Sequence, residues 1–189
     1  MTLVEFTNAT LELVKSNQAW AAPIVFALAF GESVAFLSLV LPATVILVGL
    51  GGLLGGVGVN FAPFYTTGPG AINFWPIVLA GWIGSVLGYG ISYWLGKYYK
   101  DEIGSMWPFS RYPEMLQAGK TYFDKYGALG VFMGHFFGPV RAVVPVVAGM
   151  YELKPWQFWT ANISSSLLWA FGIMGPGAFG IKWLSALFH

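Results

Sequence analysis

Residues 77–96 read IVLAGWIGSVLGYGISYWLG, twenty positions without a charged side chain. A helix rises about 1.5 Å per residue, so the stretch reaches about 30 Å, the thickness of a bilayer's hydrocarbon core. Its small residues Gly81, Gly84, Gly88 and Ser92 recur at roughly every fourth position, which predicts a neighbouring helix packed at close range. The rest of the chain has no polar surface with which to cover such a helix. Of 189 residues, 57% are hydrophobic and only 9% charged, with a mean hydropathy of +0.67. A soluble domain carries roughly a quarter charged residues. Nine basic and eight acidic side chains cannot clothe a globule of this size without leaving large apolar patches in water. The 25 Gly and 11 Pro sit inside apolar runs, as they do in membrane helices. The sequence predicts an all-α integral membrane protein.

Working outward, residues 19–59 form an apolar segment with one charge, Glu32. About 20 helical residues cross a bilayer, so this segment must double back, as two spans or as one span and a re-entrant hairpin. Pro42 marks the expected break. Residues 60–76 contain three prolines and no charge, and read as a loop. Nine charges then crowd between Lys97 and Lys125, five of them basic. The positive-inside rule places this loop, about 97–126, in the cytoplasm and 60–76 outside. Within it Met115, Gly119, Tyr122 and Tyr126 oppose Gln117, Lys120 and Asp124, which predicts an interfacial amphipathic helix. Residues 127–150 are apolar but interrupted by Gly138-Pro139 and Pro145, so a straight span is not expected. A last span is expected from about Trp156 to Met174, followed by a short tail carrying Lys182. Trp156, Trp159 and Trp183 stand at belt positions. Residues 1–18 read as an N-terminal interfacial helix and 19–189 as one transmembrane domain. Glu5, Glu12 and Lys15 and the lack of an apolar core before Ala19-Trp20-Ala21 argue for no cleaved signal.

A weak internal repeat runs through the chain. Pro42 with its following Val45–Val48 run ends in Gly52, and Pro139 with its valine-rich run ends in Gly149. Paired Pro/Gly-interrupted apolar segments are the sequence pointer to a transporter site at a repeat interface. Glu32 and Arg141 are the charges left deep in apolar sequence, with His135 near the arginine. Such groups are costly in a bilayer and face a polar cavity or pair with each other. The expectation is that Glu32 and Arg141 meet in a central, partly hydrated cavity. There Arg141 offers a bidentate cation suited to phosphate, and Glu32 and His135 are candidates for proton exchange. The structural alternatives are a merely hydrogen-bonded Glu32, an Arg141 that caps carbonyls freed by Pro139 and Pro145, and a His135 held as a hydrogen-bonding core residue.

Other classes find no support. No basic cluster suits nucleic acid. Without cysteine there is no disulfide, thiol nucleophile or thiolate metal site. Metalloprotease and hydrolase motifs are missing, so no enzyme activity, metal or cofactor is expected.

From Gly134-His135-Phe136-Phe137-Gly138-Pro139-Val140-Arg141 to Pro145, and on to Ala148-Gly149, the chain resembles the DedA family of membrane proteins, with its Arg-Phe-x-x-Gly-Pro-x-Arg-x-x-x-Pro-x-x-Ala-Gly pattern. Glu32 ahead of Pro42, Tyr93–Lys97, Phe123-x-x-Tyr126-Gly127, and Asn162 with Trp169 add support in order, over roughly residues 25–180. The resemblance implies two re-entrant helical hairpins entering from opposite sides as an inverted repeat, shaped by Pro42, Gly138, Pro139, Pro145 and Gly149. It also implies translocation of an anionic lipid, polyprenyl phosphate or phospholipid, across the bacterial inner membrane as a flippase or scramblase, often proton-dependent. Arg141, His135, Glu32 and Thr44 then form the substrate site. Three positions depart from the pattern. His135 stands for the first arginine, Thr44 for a second acidic residue, and Tyr89 for a frequent Asp. Passive or differently coupled transport, another head group, or a non-transporting assembly role stay open.

Overall fold

A computed structural model describes Glu5, Ala9, Gln18–Ala35, Leu47, Asn73–Ser105 and Ser110–Leu187, with the backbone alone for Met115, Gly138, Pro139 and residues 176–187. After a 3-10 turn at Gln18–Trp20 come α1 (Ala21–Ser33), α2 (Phe74–Tyr98), α3 (Lys100–Ser105), α4 (Glu114–Tyr126), α5 (Ala128–Gly134), α6 (Gly138–Met150) and α7 (Pro155–Leu187). There is no strand among the described residues beyond an isolated bridge at Asn73. Most of the N-terminal interfacial helix, Pro42, Thr44 and nearly all of the 36–72 segment, and with it most of the first half of the repeat, lie outside the described residues.

The uncharged stretch forms the axis of the molecule. Helix α2 spans 25 residues, about 37 Å, and is the one described helix long and apolar enough to cross a membrane. Its small-residue stripe does what its spacing predicts. A Cβ on Gly84 would come within 2.5 Å of Phe26 O, and one on Gly88 within 2.6 Å of Phe30 O, so the backbone of α1 lies directly on the stripe. The two helices run parallel, with Val25 beside Gly81 and Ser33 beside Gly88. Ser92 then closes α1: its Oγ accepts from Ala35 N at 2.8 Å and lies within reach of Ser33 O at 3.2 Å. A helix end buried in apolar surroundings needs such a partner.

Helix α7 returns antiparallel to α2. Phe158 stacks on Tyr93 at 4.1 Å, Trp159 covers Gly90, and farther along Ala170 and Met174 face Gly81. Its 33 residues extend beyond the expected end at Met174, so Lys182 lies on helix and not in a tail. Pro176 removes one N–H donor, but its φ is helical, and a long helix carries that loss. Trp156 is exposed as a belt residue would be, whereas Trp159 packs inward.

Residues 127–150 form two helices joined by a three-residue turn at His135–Phe137. The break falls where Gly138-Pro139 predicts, because proline is best tolerated in a helix's first turn. Pro145 does not interrupt α6. Lacking an N–H, it leaves only the Arg141 carbonyl without its i+4 donor. At about 10 Å and 20 Å, neither α5 nor α6 is long enough to cross a bilayer core. The hairpin tip lies beside Ser85 and Tyr89, at the middle of α2, and α6 runs down to the end of α2. There Gly149 sits against the backbone of Tyr93 and Lys97.

The charged segment 97–126 contains the expected helix α4. Its inward face is Leu116, Gly119, Tyr122 and Phe123, whereas Tyr126 is exposed under the Lys125 ammonium. Gly127, at φ +50°, makes the sharp turn into α5. Outward, α2 presents Ile83, Leu87, Ile91 and Leu95, and α7 presents Ile163, Leu167, Leu168 and Phe171, all at least 37% exposed. Helices apolar on their outer as well as inner faces belong in lipid.

Candidate functional site

The molecule's polar centre lies between two apolar clusters. One gathers Val25, Leu28, Ile77 and Trp169; the other gathers Tyr93, Phe123, Val146 and Phe158. Into the layer between them α1 delivers Glu32 and Ser33, α2 Ser85 and Tyr89, the hairpin turn His135, α6 Arg141, and α7 Ser165 and Trp169. All are buried.

Arg141 donates from Nη1 to Glu32 Oε1 at 3.0 Å, with both side chains only 6% exposed. Its Nη2 donates to Ser33 Oγ at 3.2 Å, and its guanidinium lies 4.3 Å over the Trp169 ring. Charge, hydrogen bonds and a cation–π face thus hold an ion whose desolvation is expensive. The guanidinium goes to Glu32 and Ser33, not to the carbonyls around the prolines.

From Ser33 a chain of hydroxyls crosses to α7. Ser33 Oγ lies 3.0 Å from Ser85 Oγ, Ser85 Oγ 3.2 Å from His135 Nε2, and His135 Nδ1 3.3 Å from Ser165 Oγ. Arginine can only donate, so Ser33 Oγ accepts from Arg141, while each further hydroxyl and ring nitrogen in the chain can pair as donor or acceptor. Ser165 in turn donates to Asn162 O at 3.3 Å. The His135 ring meets a hydroxyl at each of its nitrogens. It stacks against Tyr89 with ring centres 4.3 Å apart, so two of the positions that depart from the family pattern touch each other.

The residues singled out from sequence are thus partly assembled. Glu32, Arg141 and His135 share one centre; Gly138 and Pro139 open α6, Gly149 packs on the end of α2, Pro145 leaves α6 unbroken, and Pro42 and Thr44 lie outside the described residues. Sequence reasoning missed Ser33, Ser85 and Ser165 altogether. Serines in apolar helices read as small packing residues; only the Ser164–Ser166 run was a visible signal. No group of three or more metal-ligating side chains occurs among the described residues. An apolar groove of about 350 Å³ lies apart between α4 and α6, lined by Gly119, Tyr122, Val140, Val143, Val144 and Val147 among others, with no charged side chain to hold a head group.

Outside the spans, Lys100 Nζ donates to Glu152 Oε1 at 2.8 Å. That bond and charge hold the Glu152 carboxyl below the usual carboxylate range and raise the lysine. Glu152 closes α6 at a positive φ of 55°, where its N–H reaches Gly149 O and that of Leu153 reaches Ala148 O.

Helices that are apolar on their outer faces around a buried Arg–Glu centre at a hairpin tip define a helical membrane protein with a polar core. The chain belongs to the DedA family of VTT-domain proteins, the VTT domain matching residues 41–179. It is 34% identical to the inner membrane protein YabI of Escherichia coli over 86% of this chain and 59% of that protein. An uncharacterized membrane protein of Buchnera aphidicola is 29% identical over 87% of this chain and 59% of its own length. Undecaprenyl phosphate transporter A of Bacillus subtilis is 26% identical over 56% of this chain and 54% of its own. The chain therefore spans little more than half the length of these relatives. No solved structure matches it.

Proposed function

We propose that this protein moves an anionic lipid, a lipid phosphate, across the bacterial inner membrane, with Arg141 as the head-group cation and Glu32 as the carboxylate that the head group displaces. The observation that carries this reading is the Arg141–Glu32 pair, buried at the tip of a hairpin that reaches only the middle of α2. A guanidinium held halfway through apolar sequence matches a phosphate in charge and in fork geometry. It needs a compensating anion whenever the substrate is elsewhere. Glu32 supplies that anion, and protonation of Glu32 would release Arg141, which gives the exchange a route to proton coupling. In this reading α5–α6 is a re-entrant hairpin, and Pro42 heads its inverted counterpart. The loop 97–126 lies in the cytoplasm, where its five basic residues attract anionic lipid. One relative's name, an undecaprenyl phosphate transporter, supports the substrate class.

The test is flux of fluorescent polyprenyl phosphate across liposomes containing the purified protein. Arg141→Lys and Glu32→Gln should each slow transport at least tenfold. Wild-type rates in both would sink the proposal. The engagement of Arg141 by Glu32, Ser33 and Trp169 favours one rival, a structural pair in a non-transporting membrane-homeostasis or assembly protein. That rival predicts lost stability in both variants and no flux even from wild type.

A further inference from the structure

Two hydrogen-bond donors in the buried centre have no acceptor among the described residues: the Tyr89 hydroxyl and Arg141 Nε–H. Tyr89 is fully buried, and its ring packs on His135 at 4.3 Å. A phenylalanine ring would supply that packing equally, and it would avoid the cost of a buried hydroxyl without a partner. Packing therefore accounts for the ring and leaves the hydroxyl unexplained. The two orphan donors border one pair of rings. Tyr89 lies against His135, Arg141 lies over Trp169, and the His135 and Trp169 ring centres are 5.8 Å apart. A negatively charged group rich in acceptor oxygens, lying along those two rings, would satisfy both donors at once.

We propose that Tyr89 is a head-group-binding residue, donating its hydroxyl to a phosphate oxygen that Arg141 also holds. This rests on the lipid-phosphate reading of Arg141 and assigns a second donor to the same site. Tyr89 then acts on specificity. A phenol that only donates adds to the binding of a phosphate-bearing lipid and adds nothing for a lipid without one.

The experiment is calorimetric titration of the full-length protein in detergent micelles with dihexanoyl phosphatidic acid, using dihexanoylglycerol as the phosphate-free control. Tyr89→Phe is expected to weaken phosphatidic acid binding by about tenfold to a hundredfold. It should melt at or above the wild-type Tm, because it removes an unsatisfied buried group. A hydroxyl with a purely structural role would instead lower Tm. Wild-type affinity in Tyr89→Phe, or a lowered Tm, overturns the proposal. The Glu32→Gln/Arg141→Gln double variant, run in parallel, separates the two readings. Wild-type affinity in the double variant removes Arg141, and the site with it. Lost affinity there alongside wild-type affinity in Tyr89→Phe removes Tyr89 alone.

Discussion

Replacing Glu32 with Gln preserves the size of the side chain and an oxygen able to accept from Arg141, and deletes only the negative charge. With Nη1 and Oε1 3.0 Å apart, Coulomb's law at an effective dielectric of 20 gives an attraction of about 5–6 kcal/mol. The remaining hydrogen bond to Ser33 and the Trp169 face recover part of this loss. The net expectation is therefore about 3–5 kcal/mol of destabilisation, the usual cost of stranding one buried charge. Arg141→Gln strands the carboxylate at similar cost. The double variant leaves two neutral amides that can hydrogen-bond to each other, and should recover most of what either single variant lost. At roughly 2–4 °C per kcal/mol for a chain of this size, each single variant should melt about 6–20 °C lower, and the double variant close to wild type. Thermal unfolding of all four proteins in one detergent closes the cycle and gives the coupling energy directly. Singles within about 1 kcal/mol of wild type, or a double as unstable as the sum of the singles, would refute the buried-pair reasoning. Transport should not recover in the double variant, because no cation is left to hold a phosphate.

Three further outcomes follow from the geometry. His135→Arg alone places a second guanidinium beside Arg141 with one carboxylate to share, and should lower Tm by about 6–20 °C; adding Tyr89→Asp, whose position touches His135, should restore more than half of that. Gly84→Ala forces a Cβ to 2.5 Å from Phe26 O, a backbone atom that cannot swing away, and should cost about 1–3 kcal/mol; Gly172→Ala, with nothing within 4 Å, should be neutral or slightly stabilising. The Lys100–Glu152 pair depresses the Glu152 pKa, so its contribution is present above the unfolded carboxylate pKa and lost as pH falls through the folded one. The Tm difference between wild type and Lys100→Met should thus hold from pH 7 down to the unfolded carboxylate pKa, shrink below it and vanish below the folded one; closure nearer neutrality would contradict the assignment.

Much of this protein was legible in one dimension. A run of twenty uncharged residues sets the axis because backbone groups in lipid must bond internally, which leaves helix as the choice for a single segment. The glycine stripe marked the face of α2 that another helix would approach, and Gly138-Pro139 marked the start of α6. The scarcity of charge singled out Glu32 and Arg141. The Pro145 break failed to appear because losing one donor costs less than the packing of Val144, Val146 and Val147 returns, and all three are buried. The expected helix end at Met174 failed for a similar reason, since Pro176 in the Gly175-Pro176-Gly177 run that follows takes only one backbone donor from a long helix.

What the sequence determined by itself is therefore an environment and a shortage: helices for lipid, and two charges with nowhere polar to go. Which side chains complete the centre was decided only by tertiary packing. Ser33, Ser85, His135 and Ser165 come from four separate segments, and each alone reads as a small or stray polar residue. Their hydrogen-bond chain exists because α1 lies on the glycines of α2 and the hairpin stops at Tyr89, and neither distance is written in any one segment. Arg141, a side chain that can donate and cannot accept, makes Ser33 the acceptor at the head of that chain.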